Sequence, residues 1–142
     1  MLKDWKQVHP SFINAMLLNA DNTSILIAGD CSLKEWKVDL TPSNILFRDW
    51  GDIHGNNQIT CMSLSKPIND SKTGGGNNSK MSPSMANNMK FLFKLIQILF
   101  TGDHLGNVKV WNYETQECIK ALDDIHCAEL SFVKLTQDYK YV

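Results

Sequence analysis

Short apolar stretches alternate with clusters of Gly, Asn, Asp and Ser along most of the chain. The interval is about ten residues, the spacing of an all-β protein rather than of long helices. Residues 13–18 (INAMLL) predict a first strand, closed by the polar turn NADNTS. Residues 25–28, 33–38 and 45–50 follow as the second, third and fourth strands. Residues 59–64 (ITCMSL) open a second group, which resumes over 95–101 and continues through 108–111 and 117–122. Residues 128–135 predict a strand that begins a third group, and Trp5 stands where the last strand of a preceding group would close.

The second group is interrupted by KPINDSKTGGGNNSKMSPSMANNMK, a low-complexity stretch of Lys, Asn, Ser, Met and Gly. Such a composition cannot bury enough apolar area to offset its ordering entropy. It reads as a mobile surface insertion over residues 66–94, tolerated because loop-closure entropy grows only logarithmically with length. A segment that orders on docking to a partner is the other reading. The organisation is then residues 1–65 for one unit and the start of a second, 66–94 for the insertion, 95–125 for the rest of the second unit, and 126–142 for the start of a third.

Two of these stretches are copies of one another. LIAGDCSLKEWKV begins at Leu26 and LFTGDHLGNVKVWNYETQECIK at Leu99, each a strand end with Gly, a tight turn, and a strand carrying Trp. His9 and His54 precede the two copies and stand 45 residues apart. That separation is close to the roughly 40–45-residue period of one repeat family. The pattern resembles the WD40 repeat, and the resemblance implies a partial β-propeller of four-stranded antiparallel blades. In that family a His, a Ser or Thr, an Asp and the Trp form a hydrogen-bonded network that pins each blade. Carried over residue by residue, the resemblance implies structural roles for His9, Asp30 and Trp36 in the first unit. In the second it implies them for His54, Thr101, Gly106 and Trp111, with His126 opening the third. Ala28 takes the Ser/Thr place in the first copy. Leu105 takes the Asp place in the second, with Asp103 nearby but displaced. Gly106 falls at a turn position that favours positive φ. Because each repeat covers its faces with its neighbours, two repeats read as a fragment, a truncated product, or a chain completed by other chains.

Net charge is −1, with Lys+Arg 14 against Asp+Glu 15 and no basic block, so a nucleic-acid surface is not expected. The longest apolar run, FLFKLIQILF, is broken by Lys94 and Gln97. It falls short of the ~20 residues that cross a bilayer, so no membrane partner is expected. MLKDWKQVHP lacks the apolar segment of a signal peptide. The expectation is an intracellular, cytoplasmic protein whose four cysteines are reduced and mostly buried.

Candidate chemistry is sparse. His54 has no carboxylate or nucleophile spaced along the chain to serve it as a catalytic base. Cys118, His126 and Cys127 lack zinc-site spacing. Gly74–Gly76 follow Lys72 and Thr73, the reverse of a P-loop, and residues 103–107 offer too few oxygens for a calcium loop. No catalytic residue, cofactor or metal is expected. The function that follows from the resemblance is a scaffold for proteins or peptides, presented on turns that include Asp30, Cys31, Lys34, His104, Leu105, Lys109 and Asn112. Arg48 and Trp50 form a candidate anchor pair. The alternatives are a component of a cytoskeletal or ciliary assembly, or the propeller part of an enzyme complex whose catalytic site lies elsewhere.

Overall fold

Among residues 8–38, 45–66 and 96–134, which the computed structural model describes, the chain forms eight strands and no helix. They are β1 (Ala15–Leu18), β2 (Ser24–Gly29), β3 (Ser32–Lys37), β4 (Leu46–Asp52), β5 (Ile59–Leu64), β6 (Ile98–Asp103), β7 (Val108–Asn112) and β8 (Cys118–Leu122). Each group of four pairs in chain order, making two four-stranded antiparallel sheets, β1-β2-β3-β4 and β5-β6-β7-β8. All eight fall on the segments that the apolar alternation picks out.

The sheets meet face to face through one apolar cluster. β2 and β3 contribute Leu26, Ala28 and Leu33, and β4 contributes Trp50. From the second sheet come Ile59, Leu99, Trp111 and Tyr113. Leu26, Leu33, Ile59 and Leu99 are fully buried, and each such side chain contributes about 1.5–3 kcal/mol. Hydrogen bonds to both backbone groups of Ile59, at the start of β5, tie the sheets together. The Ile59 N–H donates to the Asp30 carbonyl at 2.6 Å, and Asn14 Nδ2 donates to the Ile59 carbonyl at 3.1 Å. The other face of the second sheet carries a second cluster of Cys61, Ile98, Phe100, Val108 and Val133.

Cross-strand partners reveal an internal repeat that differs from the textual one. Met16, Ile27 and Lys34 form a row across β1-β2-β3, and Met62, Thr101 and Lys109 form the matching row across β5-β6-β7. The next row is Leu18–Ile25–Trp36 in the first sheet and Leu64–Leu99–Trp111 in the second. The counterpart of Thr101 is therefore Ile27, not Ala28. The turns explain the difference. β2 and β3 are joined by the two-residue turn Asp30–Cys31, with Asp30 at φ 45°, whereas residues 104–107 join β6 to β7. Turn length sets register, and a slip of one residue exchanges the faces of a strand. The Trp36 row lies on the face of the first sheet turned away from the second, and the equivalent Trp111 row on the face of the second sheet turned towards the first.

Two expectations need correction. Residues 128–134 carry no strand. They lie on the outer face of the second sheet, where Leu130 and Val133 join its apolar cluster. The Leu130 N–H donates to the Asp103 carbonyl at 3.2 Å, and Thr60 Oγ1 donates to the Leu130 carbonyl. A strand needs partners for successive backbone groups, and one bond to β6 stands in that place here. The thiols also differ from expectation: Cys61 is buried and Cys31 half-buried, but Cys118 and Cys127 are exposed. Trp5 and the predicted insertion beyond Lys66 lie outside the described residues. No helix among the described residues is long and apolar enough to cross a membrane.

Candidate functional site

His54, in the loop between β4 and β5, is brought onto β6 and β7 from 47 positions away in sequence. Its Nδ1–H donates to Asp103 Oδ2 at 3.1 Å, since a carboxylate can only accept. Nε2 then accepts from Thr101 Oγ1 at 2.7 Å. The same Thr101 oxygen accepts from Trp111 Nε1 at 2.9 Å. Each donor in the run Trp111–Thr101–His54–Asp103 has one acceptor, and the run closes only with a neutral imidazole. Burial pushes the His54 pKa down, and this outweighs the opposing pull of Asp103.

Asp103 is the hub. Its Oδ1 accepts from the Leu105 and Asn107 N–H groups, both at 2.9 Å, which shapes the turn. Its Oδ2 also accepts from Asn57 Nδ2 and Asn107 Nδ2. Burial raises its pKa, but these hydrogen bonds and that from His54 outweigh it and hold the carboxyl at about 2. Gly106 completes the turn at φ 89°, where a Cβ would collide with the His126 carbonyl oxygen.

The sequence reading that nothing is spaced to serve His54 is thus corrected, because a carboxylate and a hydroxyl both reach it. The geometry is nevertheless closed. Thr101 and Asp103 have no exposed surface and His54 is 3% exposed. Asp103 stands two residues ahead of Leu105, and it joins the network because the sheet bends the turn back over His54. Its signal in the sequence was the Thr-Gly-Asp run at the end of β6.

Among the described residues, the first sheet holds no equivalent network. His9 Nε2 bonds Ser32 Oγ at 2.9 Å, and the imidazole lies over Gly29 on the outward face. Asp30 does not reach it; the Asp30 carboxylate accepts a long bond from Gln58 Nε2 at 3.5 Å. Trp36 Nε1 is buried without a hydrogen-bond partner. Its cross-strand partner is Ile25, and Ile27 stands in the next row on the same face; neither has a hydroxyl to give. The implied grouping of His9, Asp30 and Trp36 is therefore not formed.

The polar centre of the inter-sheet contact is Glu35, which the sequence reading passed over. It alternates with Leu33 on the inward face of β3 and is fully buried, so strand period was the signal that could have found it. Its Oε1 accepts from Ser24 Oγ and from the Tyr113 hydroxyl across the interface. Its Oε2 has no hydrogen bond, but stands 3.8 Å from Arg48 Nε. Burial, and then the bond to Glu35, push the Tyr113 pKa up to about 12.

Arg48 caps this centre. Its guanidinium lies over the Phe47 and Tyr113 rings, each 4.9 Å away. It donates to the Tyr113 carbonyl at 2.7 Å and to Glu114 Oε2 at 3.2 Å. Beside it opens a cleft of about 250 Å³ lined by Asn19, Asp21, Thr23, Phe47, Gln97 and Glu114 among others. Trp50 is not available beside Arg48, because it is buried edge-on to Trp111 at 6.3 Å. Phe47, 45% exposed, takes the place expected for it.

His126 is exposed in the turn after β8, and its Nδ1 accepts from the Ala128 N–H at 3.3 Å. Of the turn residues expected to present a surface, Leu105 is exposed, while Asp30, Cys31, Lys34, His104, Lys109 and Asn112 are half-buried. No group of three or more His, Cys, Asp or Glu side chains among the described residues is placed to hold a metal ion. No known protein family matches this chain, and no curated protein matches it either.

Proposed function

We propose that this chain is a non-catalytic scaffold that binds a protein or peptide, built from repeats of the WD40 β-propeller kind. One observation carries the reading: the two sheets repeat the same Met and Lys row and the same Leu and Trp row. A His-Thr-Trp-Asp run of hydrogen bonds braces the second copy. The same run argues against catalysis at His54. The Thr101 hydroxyl is sealed from solvent and committed to His54 and Trp111, so it has no path to a substrate carbonyl. The binding place is the cleft beside Arg48, where an exposed aromatic and an arginine stand together, as binding hot spots commonly do.

Crosslinking followed by affinity isolation from the source cells tests this, comparing the natural chain with Phe47→Ala and Glu114→Lys. The expected result is a defined protein or peptide held by the natural chain and lost by both variants. Turnover of any substrate that vanishes in a folded His54→Gln variant overturns the reading.

A further inference from the structure

The cleft beside Arg48 lies on the seam between the two sheets. The turn between β1 and β2 lends it Asp21, and β4 lends Phe47 and Arg48. Gln97 and Glu114 reach it from beside the ends of β6 and β7. At about 250 Å³ it is smaller than the ~300–1,000 Å³ of sites that enclose drug-sized ligands. It has room for one long side chain.

Hydrogen bonding decides which kind. The donors on its walls are spent within the chain. Arg48 Nη1 donates to the Tyr113 carbonyl and Nη2 to Glu114 Oε2, while Nε stands 3.8 Å from Glu35 Oε2. The Tyr113 hydroxyl donates to Glu35. Gln97 Nε2 donates to the Ser65 carbonyl at 3.1 Å, which leaves the acceptor end of that amide. The acceptors are less engaged. Asp21 is exposed, and the bonds it accepts from the Thr23 hydroxyl and N–H both fall on Oδ1. Those bonds hold its carboxyl below the ordinary 3.8, so it is ionised at neutral pH. The Glu114 side chain is 61% exposed, and its bond with Arg48 falls on Oε2.

Charge points the same way. The carboxylates of Asp21, Glu35 and Glu114 stand against the two cations Arg48 and Lys37, which leaves negative charge in excess. Lys37 Nζ and the Arg48 guanidinium already lie 5.2 and 4.9 Å from the Phe47 ring. The exposed remainder of that ring is therefore an apolar wall rather than a vacant seat for charge. Lys and Arg lay their methylene stems on such a surface while the charged head finds carboxylates.

We infer that this cleft takes a basic side chain, Lys or Arg, from a peptide segment of the partner, its stem along Phe47 and its charge held by Glu114 and Asp21. An acidic guest would meet carboxylates, and an apolar one would strip them of water without replacing it. The inference rests on the reading of this cleft as the binding place and adds the chemistry of the guest.

Nuclear magnetic resonance titration of the isotope-labelled full chain tests it, using short peptides with a central Lys, Arg, norleucine or Glu flanked by Gly. The Lys peptide, the Arg peptide or both are expected to shift the amide signals of residues 19–23 and 113–115, with an affinity that falls as salt is added. The norleucine and Glu peptides are expected to bind more weakly by roughly tenfold or more, the weight of one charge-assisted hydrogen bond. Glu114→Gln and Asp21→Asn, each with its far-UV circular dichroism retained, are expected to weaken the basic peptides. Norleucine or Glu peptides that bind as well as the basic ones overturn the inference, whether or not either variant folds. So do basic peptides that leave these signals unmoved. In that case a protein held by the natural chain and lost by Phe47→Ala keeps the cleft as the binding place for another guest, whereas the absence of any such protein removes both readings.

Discussion

Tyr113, just beyond β7, donates its phenolic proton to Glu35 of β3, 78 positions away, so that one buried hydrogen bond spans the two sheets. Glu35 has no exposed surface, and the bond replaces one of the waters its carboxylate would otherwise keep. Removing a partner from a buried charged acceptor costs about 1–3 kcal/mol or more. Tyr113→Phe keeps the ring against Trp50 and removes only the donor. It is expected to lower unfolding stability by that amount in urea titration. Equal stability in both proteins would show that Ser24 and Arg48 satisfy the carboxylate alone.

The His54 network makes stability fall with acid in two steps. The native fold holds His54 below its ordinary value of 6.5, so in that interval the unfolded chain binds more protons. The stability it contributes is full above pH 6.5 and is lost as pH falls through the lowered native value. Asp103, held at about 2 against an ordinary 3.8, contributes stability that is lost as pH falls from about 4 towards 2. That second step is on the order of 2 kcal/mol, from about 1.4 kcal/mol per pKa unit. Chemical denaturation from pH 7 to pH 2 is expected to show both steps, with the first missing in His54→Gln. A profile flat from pH 6.5 to 5 would contradict the neutral imidazole.

Thr101→Val preserves shape and removes a hydroxyl that serves two partners. Trp111 Nε1 and His54 Nε2 would both be left unpaired inside the sheet. Each orphaned buried group costs about 1–3 kcal/mol, so a total loss of about 2–6 kcal/mol is expected in thermal or urea unfolding. Indole N–H exchange of Trp111 should also accelerate. A loss below about 1 kcal/mol would mean that the network adds little to the packing around it.

Gly106→Ala tests the turn. The position has φ 89° and faces the His126 carbonyl, with the Ala128 carbonyl 3.1 Å from where a Cβ would stand. Left-handed backbone in a non-glycine residue costs about 1–3 kcal/mol, and the collision adds to it. Stability is expected to drop by at least this amount, with residues 126–130 the first to lose amide protection. Unchanged hydrogen exchange there would show that the segment does not lean on the turn.

The type and order of the eight strands were legible in the sequence, whereas the further strand expected over 128–135 is absent from residues 128–134. Apolar alternation and punctuating Gly, Asn and Asp act over a few residues and do not need a tertiary context to be read. The grouping of His54 with Thr101 and Trp111 came from the resemblance to a repeat family and not from spacing along the chain. Register was not legible in the sequence. LIAGD and LFTGD look aligned, yet the two-residue turn at Asp30 and the longer turn before Val108 put Ile27, not Ala28, in the place of Thr101. With Ile27 in that place there is no hydroxyl beside it, and the Trp36 indole nitrogen is buried without an acceptor. Asp103 joined His54, and Glu35 met Tyr113, only once turn geometry and sheet packing had brought them together across 49 and 78 positions. Local chemistry along the chain determines which strands form. Which face each strand buries, and which polar groups meet there, is decided by pairing between distant segments, because a side chain's direction depends on the partner strand's register.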